Sequence, residues 1–163
     1  MIHFICGSTG AGKSTYAAKL AKEIGAVSFC IDEWMTALYW QDAPQPLEGA
    51  WVTERVARCQ MRIWDTAKVV AARGVPCVLE IGFTHAKARA QFATYAREAG
   101  LQVQLHFLDV PVQERWRRVE KRNADKSGPL GFDVTREMFD FVEAMWEPPS
   151  STEMAALNGH RIG

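Results

Sequence analysis

Residues 1–20 read MIHFICGSTGAGKSTYAAKL, an apolar run that breaks into glycines and then presents a lysine, a serine and a threonine. Ile2 to Cys6 has the length and apolar continuity of a short buried strand, and Ala17, Leu20, Ala21 and Ile24 recur at helical spacing between Lys13 and Ile24. Between the two, Gly7-Ser8-Thr9-Gly10-Ala11-Gly12-Lys13-Ser14 fits G-x-x-x-x-G-K-[ST] at every fixed position. A strand, a glycine turn and a helix start in that order make a phosphate cradle. The glycines let successive backbone N–H groups turn inward on phosphate oxygens, and the helix N-terminus adds partial positive charge. Lys13 then reaches the β and γ phosphates, Ser14 offers a hydroxyl to Mg²⁺, and Thr15 packs behind it. The stretch predicts a site for a nucleoside triphosphate, taken as ATP, with Mg²⁺.

The rest of the chain repeats the alternation. AVSFCID (26–32) reads as a second strand ending in an acid and leads into EWMTALYW (33–40), a short amphipathic or irregular piece. QDAPQPLEG (41–49) holds two prolines and a glycine and reads as a surface loop. Val52, Val56, Cys59, Ile63 and Val70 share one face of a long helix from Ala50 to Arg73, which Gly74 stops. VPCVLEIGF (75–83) is the third strand, Thr84 to Ala99 a second long helix ending at Gly100, and LQVQLHFLDV (101–110) the fourth strand. Pro111 opens a further helix at its favoured first-turn position, with Val112, Trp116 and Val119 expected inward. After the polar loop NADKSGPLGFD (123–133), Thr135 to Trp146 reads as a last helix with Met138, Phe141, Val142 and Met145 inward. Nothing after Trp146 reads clearly as a strand. Strands that are apolar throughout, separated by helices, predict a parallel sheet covered on both faces, a three-layer α/β sandwich. Ligands gather at the carboxyl ends of such strands. Here those ends carry Cys6, Asp32, Glu80 and Asp109.

At 163 residues the chain has room for one core, so a single domain over 1–163 is expected. Its formal net charge of zero argues against a nucleic-acid or anionic-membrane partner and favours a small molecule. Cys6, Cys30, Cys59 and Cys77 are far apart, with no C-x-x-C pair and no signal sequence, so free buried thiols in a cytoplasmic, monomeric protein are expected. No apolar stretch approaches the ~20 residues that would cross a bilayer.

A cradle does not by itself separate a hydrolase, a switch and a kinase. Asp32 discriminates more, because a carboxylate at the end of the second strand sits across from the γ-phosphate, where it can take the proton of an acceptor hydroxyl. The competing role is a helix cap for residues 33–40, since Asp is a favoured N-cap.

With GSTGAGKST and CIDEW together, the chain resembles the small P-loop kinases grouped around zeta toxin, chloramphenicol phosphotransferase and the kinase domain of polynucleotide kinase. It is similar more closely to a bacterial group of AAA-like ATP-binding predicted kinases. The likeness runs from Met1 to about Glu153 through VLEIGF, LHFLDVP with RWRRVEKRN, and FDVTREMFDF leading to WEPPSSTE. It implies a P-loop NTPase sandwich with strand order 2-3-1-4-5 and a small helical lid, here about 115–134, and ATP-dependent transfer of a phosphoryl group to a hydroxyl. Asp32 matches the family's base, Lys13 its phosphate lysine, and Arg118 and Arg122 its lid arginines. Glu80 matches an acid at the end of the third strand, an aspartate in many relatives, whose duty is either Mg²⁺, directly or through a water, or the substrate; Arg89 falls near a substrate arginine, and EPPSSTE falls where relatives run past the adenine.

Spacing alone puts Arg115, Arg118 and Arg122 on one helix face bordering the Val112-Trp116-Val119 stripe, and the alternative to a lid is a solvated basic face paired with Glu114 and Glu120. In the lid reading, Gly128 and Gly131 let the loop close and exclude water. Trp34, Tyr39, Trp40 and Trp51 flank residues 41–49 and read either as a substrate entrance or as core packing. Two further functions stay open in the sequence, a polynucleotide or nucleotide-sugar kinase and a non-catalytic, regulatory ATP-binding protein.

Overall fold

The structure is a computed structural model that describes residues 1–126 and 133–163. Five strands form one parallel sheet: β1 (Ile2–Cys6), β2 (Val27–Cys30), β3 (Cys77–Glu80), β4 (Val103–Leu108) and β5 (His160–Ile162), in the spatial order β2-β3-β1-β4-β5. β1 is the centre of the sheet, with Phe4 opposite Leu79 on one side and Leu105 on the other, and all five of its residues are buried. A strand buried on both faces needs a continuous apolar run, and IHFIC meets that demand at all but His3.

Helices cover both faces. α1 (Lys13–Ile24) lays Ala17 and Ala21 on the side of Ile5, Val78 and Leu108. The opposite face holds the larger core, where Phe4, Leu79 and Leu105 meet Cys59, Ile63, Trp64 and Ala67 of α3 (Gly49–Ala71) and Phe92 and Ala96 of α4 (Ala86–Glu98). α2 (Ile31–Leu38), α5 (Val112–Asp125), α6 (Arg136–Met145) and α7 (Ser151–Ala156) complete the helices among the described residues. All four cysteines are buried and free, and burial pushes the thiols of Cys6 and Cys30 up to about 12, which makes them inert packing groups. No helix among the described residues is long and apolar enough to cross a membrane.

Several details differ from the sequence reading. Residues 31–38 form a regular helix that follows β2 without a loop, so Asp32 stands in the first turn of α2 and Cys30 is the N-cap. β5 exists, although its three residues are mostly exposed, because β4 supplies the pairing that a local pattern cannot reveal. Along α5, Val112 is on the surface while Arg115 is buried. Along α6, Phe139 is buried against Trp116, Val119 and Val134, whereas Met138 and Phe141 are exposed. The helix packs on α5 through Phe139, the Glu143–Arg115 pair and Arg136 over Trp116, with Val142 and Met145 partly exposed.

Candidate active site

The carboxyl ends of β1, β2 and β3 open onto a cleft of about 830 Å³ lined by the cradle residues Thr9, Gly10 and Gly12 to Thr15, by Asp32 and Glu80, and by Arg118, Lys121 and Arg122 of α5. The motif positions named from sequence therefore face one space. Gly10 has φ +79°, and a Cβ there would lie 2.4 Å from the carbonyl oxygen of Arg115, so only glycine fits where the backbone of α5 rests on the turn. The first half of the segment expected as a lid is thus packed directly on the cradle. Gly128 and Gly131, the expected lid glycines, lie outside the described residues.

A buried brace holds the turn from behind. The Arg115 guanidinium donates to the carbonyls of Val110 at 2.8 Å and Thr9 at 3.2 Å and to Glu143 Oε1 at 2.7 Å. Glu143 Oε2 accepts from Ser8 Oγ at 2.8 Å. Both Arg115 and Ser8 are sealed from solvent, and the hydrogen bond from Arg115 holds the Glu143 carboxyl below the usual carboxylate range. Ser8 and Arg115 thereby act on the shape of the cradle, and sequence gave no sign of Glu143 because its partners lie 28 and 135 residues away.

Inside the cleft, Lys13 Nζ donates to Ser8 O at 3.3 Å and Ser14 Oγ donates to Glu80 Oε1 at 3.1 Å. The other Glu80 oxygen, Oε2, is buried without a formed hydrogen bond, with the Cys30 thiol as a near polar neighbour. A hydroxyl beside a carboxylate with one oxygen to spare suits Mg²⁺, which takes oxygen ligands and usually completes its shell with water and phosphate. Among the described residues no three His, Cys, Asp or Glu side chains form a metal cage.

Asp32 and Glu80 are both pushed above the ordinary carboxylate range by burial, and for each the Lys13 charge pulls the other way. Arg122 adds a second downward pull on Asp32, while Asp32 raises Glu80 further. Asp32 makes no capping hydrogen bond to α2, so the cap role weighed from sequence does not apply. Arg118 reaches the cradle at Ala11 O, 3.3 Å away, with its Nε on Glu114 at 3.0 Å.

Other expected residues lie elsewhere. Arg89, read as a substrate residue, is fully buried and away from the cleft, with Nε on Glu153 Oε1 at 2.5 Å, NH2 on Oε2 at 3.0 Å and NH1 on Phe83 O at 2.9 Å. It pins α7 to α4. EPPSSTE takes part in the same fastening, since Glu147 accepts from Ala86 N at 2.7 Å beside His85, and none of its residues lines the cleft. Trp34, Tyr39 and Trp40 pack on the main core, Trp51 sits under Arg55 at 4.2 Å, and none of the four lines the cleft. Val134, Met138 and Val142 do line it, together with Asp125.

The family model described as an AAA domain matches residues 2–149. No curated protein matches the chain. Among solved structures, Chaetomium thermophilum Kti12 in complex with ADP-AlF3 is 16% identical with a TM-score of 0.75, covering 100% of this chain and 89% of its own. A sugar kinase from Janibacter, unliganded, is 18% identical with a TM-score of 0.64, covering 99% of this chain and 83% of its own. Mycobacterium tuberculosis APS kinase in complex with AMPPNP and APS is 23% identical with a TM-score of 0.57, covering 77% of this chain and 72% of its own. At these identities the likeness is one of fold.

Proposed function

The chain belongs to the AAA domain family, and from that premise we propose that it is a kinase, transferring the γ-phosphoryl group of ATP to the hydroxyl of a small molecule. The observation that carries the reading is the position of Asp32, a carboxylate in the same cleft as Lys13 and the Ser14–Glu80 pair. The cradle and Mg²⁺ serve a hydrolase, a switch and a kinase alike, and what bears on the choice is the carboxylate placed for an attacking hydroxyl. An alcohol acceptor needs a proton acceptor there. The kinases of known structure that share this fold, acting on a sugar and on APS by their names, add support.

In this reading the cradle N–H groups and Lys13 hold the phosphates, and the Ser8–Glu143–Arg115 brace keeps the turn in shape. Ser14 and Glu80 hold Mg²⁺, which when bound neutralises phosphate charge. Asp32 takes the proton from the acceptor hydroxyl as the hydroxyl oxygen bonds to the γ-phosphorus and the bond from that phosphorus to the β,γ-bridging oxygen breaks, releasing ADP. Burial raises the pKa of Asp32, against the pull of Lys13 and Arg122, which makes it a stronger base than a surface carboxylate. Arg118 and Arg122 lie where guanidinium groups stabilise charge on the transferring group.

The test is Asp32→Asn. Incubation with Mg-ATP and a panel of alcohols should give a phosphate-sized mass gain on an acceptor for the parent chain and none for the variant, with ATP affinity retained. Transfer that survives the substitution rejects Asp32 as the base, and tight ATP binding with no phosphorylated alcohol from any acceptor favours a regulatory nucleotide-binding protein.

A further inference from the structure

The cleft has a face that the phosphates do not need. Met138 and Val142 are one helical turn apart on α6 and line the cleft, with Val134 beside them. Met138 is 43% exposed, a large apolar side chain shown to the opening of a polar site. The course of α6 sets where this face lies. The helix begins against α5, where Phe139 packs on Trp116, and it is followed by Glu147, whose N–H donates to Thr84 O beyond β3. It therefore runs across the strand ends toward the side that carries Glu80 and Asp32. Val134 at the edge of this wall exchanges two hydrogen bonds with Asn123, at 2.9 and 3.1 Å, next to Arg122, which lines the cleft and whose charge acts on Asp32, so the wall continues from the part of α5 that faces that acid.

Charge narrows what can sit there. Four cations line the cleft (Lys13, Arg118, Lys121 and Arg122) against three acids (Asp32, Glu80 and Asp125), a net of +1. Residues 127–132 contain no charged side chain. Mg-ATP brings about two negative charges, so the loaded cleft is net negative and has no cation left over for an anionic acceptor. Arg115, the other arginine nearby, is already neutralised by Glu143.

Resting on the kinase reading, we propose that the acceptor is a non-anionic alcohol with an apolar body, seated against Met138 and Val142 with its hydroxyl toward Asp32. Phosphorylated and carboxylated alcohols, nucleotides and oligonucleotides are poor acceptors in this site. An apolar wall gives discrimination of roughly 10–200-fold per group it fits, enough to see in kinetics.

The experiment measures Mg-ATP-dependent phosphate transfer by the full chain to 2-phenylethanol and phenylalaninol, to glycerol and glucose, and to nucleoside 5′-monophosphates, sugar phosphates and 5′-hydroxyl oligonucleotides. The expected result is a kcat/KM at least about tenfold higher for the first pair than for any anionic acceptor. Met138→Glu should raise the acceptor KM about tenfold with the ATP KM unchanged, and Met138→Leu should restore it. Anionic acceptors used as well or better overturn the acceptor class and leave the kinase reading standing. A Met138→Glu effect on the ATP KM alone overturns it too, by assigning the wall to the nucleotide base. ATP binding without product from any acceptor overturns the kinase reading and this inference with it.

Discussion

Ser8 in the glycine turn and Glu143 on α6 are joined by a 2.8 Å hydrogen bond across 135 residues of chain. The same carboxylate holds buried Arg115 at 2.7 Å, and Arg115 in turn holds Thr9 O. Two residues of the cradle thus depend on a carboxylate outside the motif. Glu143→Ala should weaken Mg-ATP binding about tenfold, because it frees the Ser8 hydroxyl and releases the turn. It should also cost about 3 kcal/mol of stability by leaving the Arg115 guanidinium buried without its partner. Calorimetric titration with ATP and a denaturant curve check the two effects separately. Unchanged ATP affinity with reduced stability would show the brace to be purely structural.

Asp32 and Glu80 set function against stability. Each has a folded-state pKa raised by burial, so the stability it contributes is present below its unfolded value and is lost as pH rises through the folded pKa. Above those folded values the two carboxylates are held ionised at a cost to stability. Asp32→Asn should therefore lower transfer by about 10²–10⁴-fold and raise the melting temperature of the nucleotide-free protein at pH 8. A gain of about 1 kcal/mol corresponds to roughly 2–4 °C, and it should shrink as the pH falls through the folded pKa of Asp32. Melting temperatures of parent and variant across pH 4–8 are the measurement.

Local patterns reveal some of these features and miss others for a physical reason. β1 and α1 have the bounds that the first 24 residues suggest, since an apolar run, a glycine turn and a helical period are all written within one turn of their neighbours. Lys13, Ser14, Asp32 and Glu80 come to one cleft because parallel topology sends every strand end to one edge. What fails is decided at long range. Arg115 and Arg89 look like surface charges until Glu143 and Glu153 are brought to them from 28 and 64 residues away. α6 carries apolar side chains on more than one face, so its period points to Phe141 as the inward residue where the structure buries Phe139. β5 is a strand only because β4 is beside it.

The Arg89–Glu153 pair should prove a fastening rather than a site. Arg89 is wholly enclosed, with two hydrogen bonds to Glu153 and a further one to Phe83 O. Glu153→Gln leaves that cation buried without a counter-charge, which costs about 3–5 kcal/mol. A melting temperature lower by about 10 °C is expected. Calorimetry below the melting range should find ATP affinity unaltered. A change in affinity without loss of stability would return Arg89 to the site.

On the α1 side of the sheet, three side chains form a chain of contacts that makes the fold sensitive to acid. Tyr16 OH lies 2.8 Å from His106 Nδ1, and His106 Nε2 lies 3.0 Å from His3 Nδ1. If Tyr16 donates to His106 and His106 donates to His3, every contact is met with both rings neutral. A proton added to His106 turns its acceptor nitrogen into a donor facing the tyrosine hydroxyl, next to His3 and the stacked ring of His160. Burial, with the His3 and His160 charges, pushes His106 down to about 4, and burial also lowers His3. Because the folded value lies below the unfolded one, the unfolded chain binds the proton first. The stability from neutral His106 is complete above about pH 6.5 and falls away as pH drops toward 4. The part of the urea unfolding free energy that His106 controls, read as parent minus His106→Gln, should be about 1–2 kcal/mol larger at pH 7.5 than at pH 5, opposite in sign to the part from Asp32 and Glu80. His106→Gln cannot take up a proton and lacks that part, and a slope unchanged in the variant would assign the acid sensitivity to other groups.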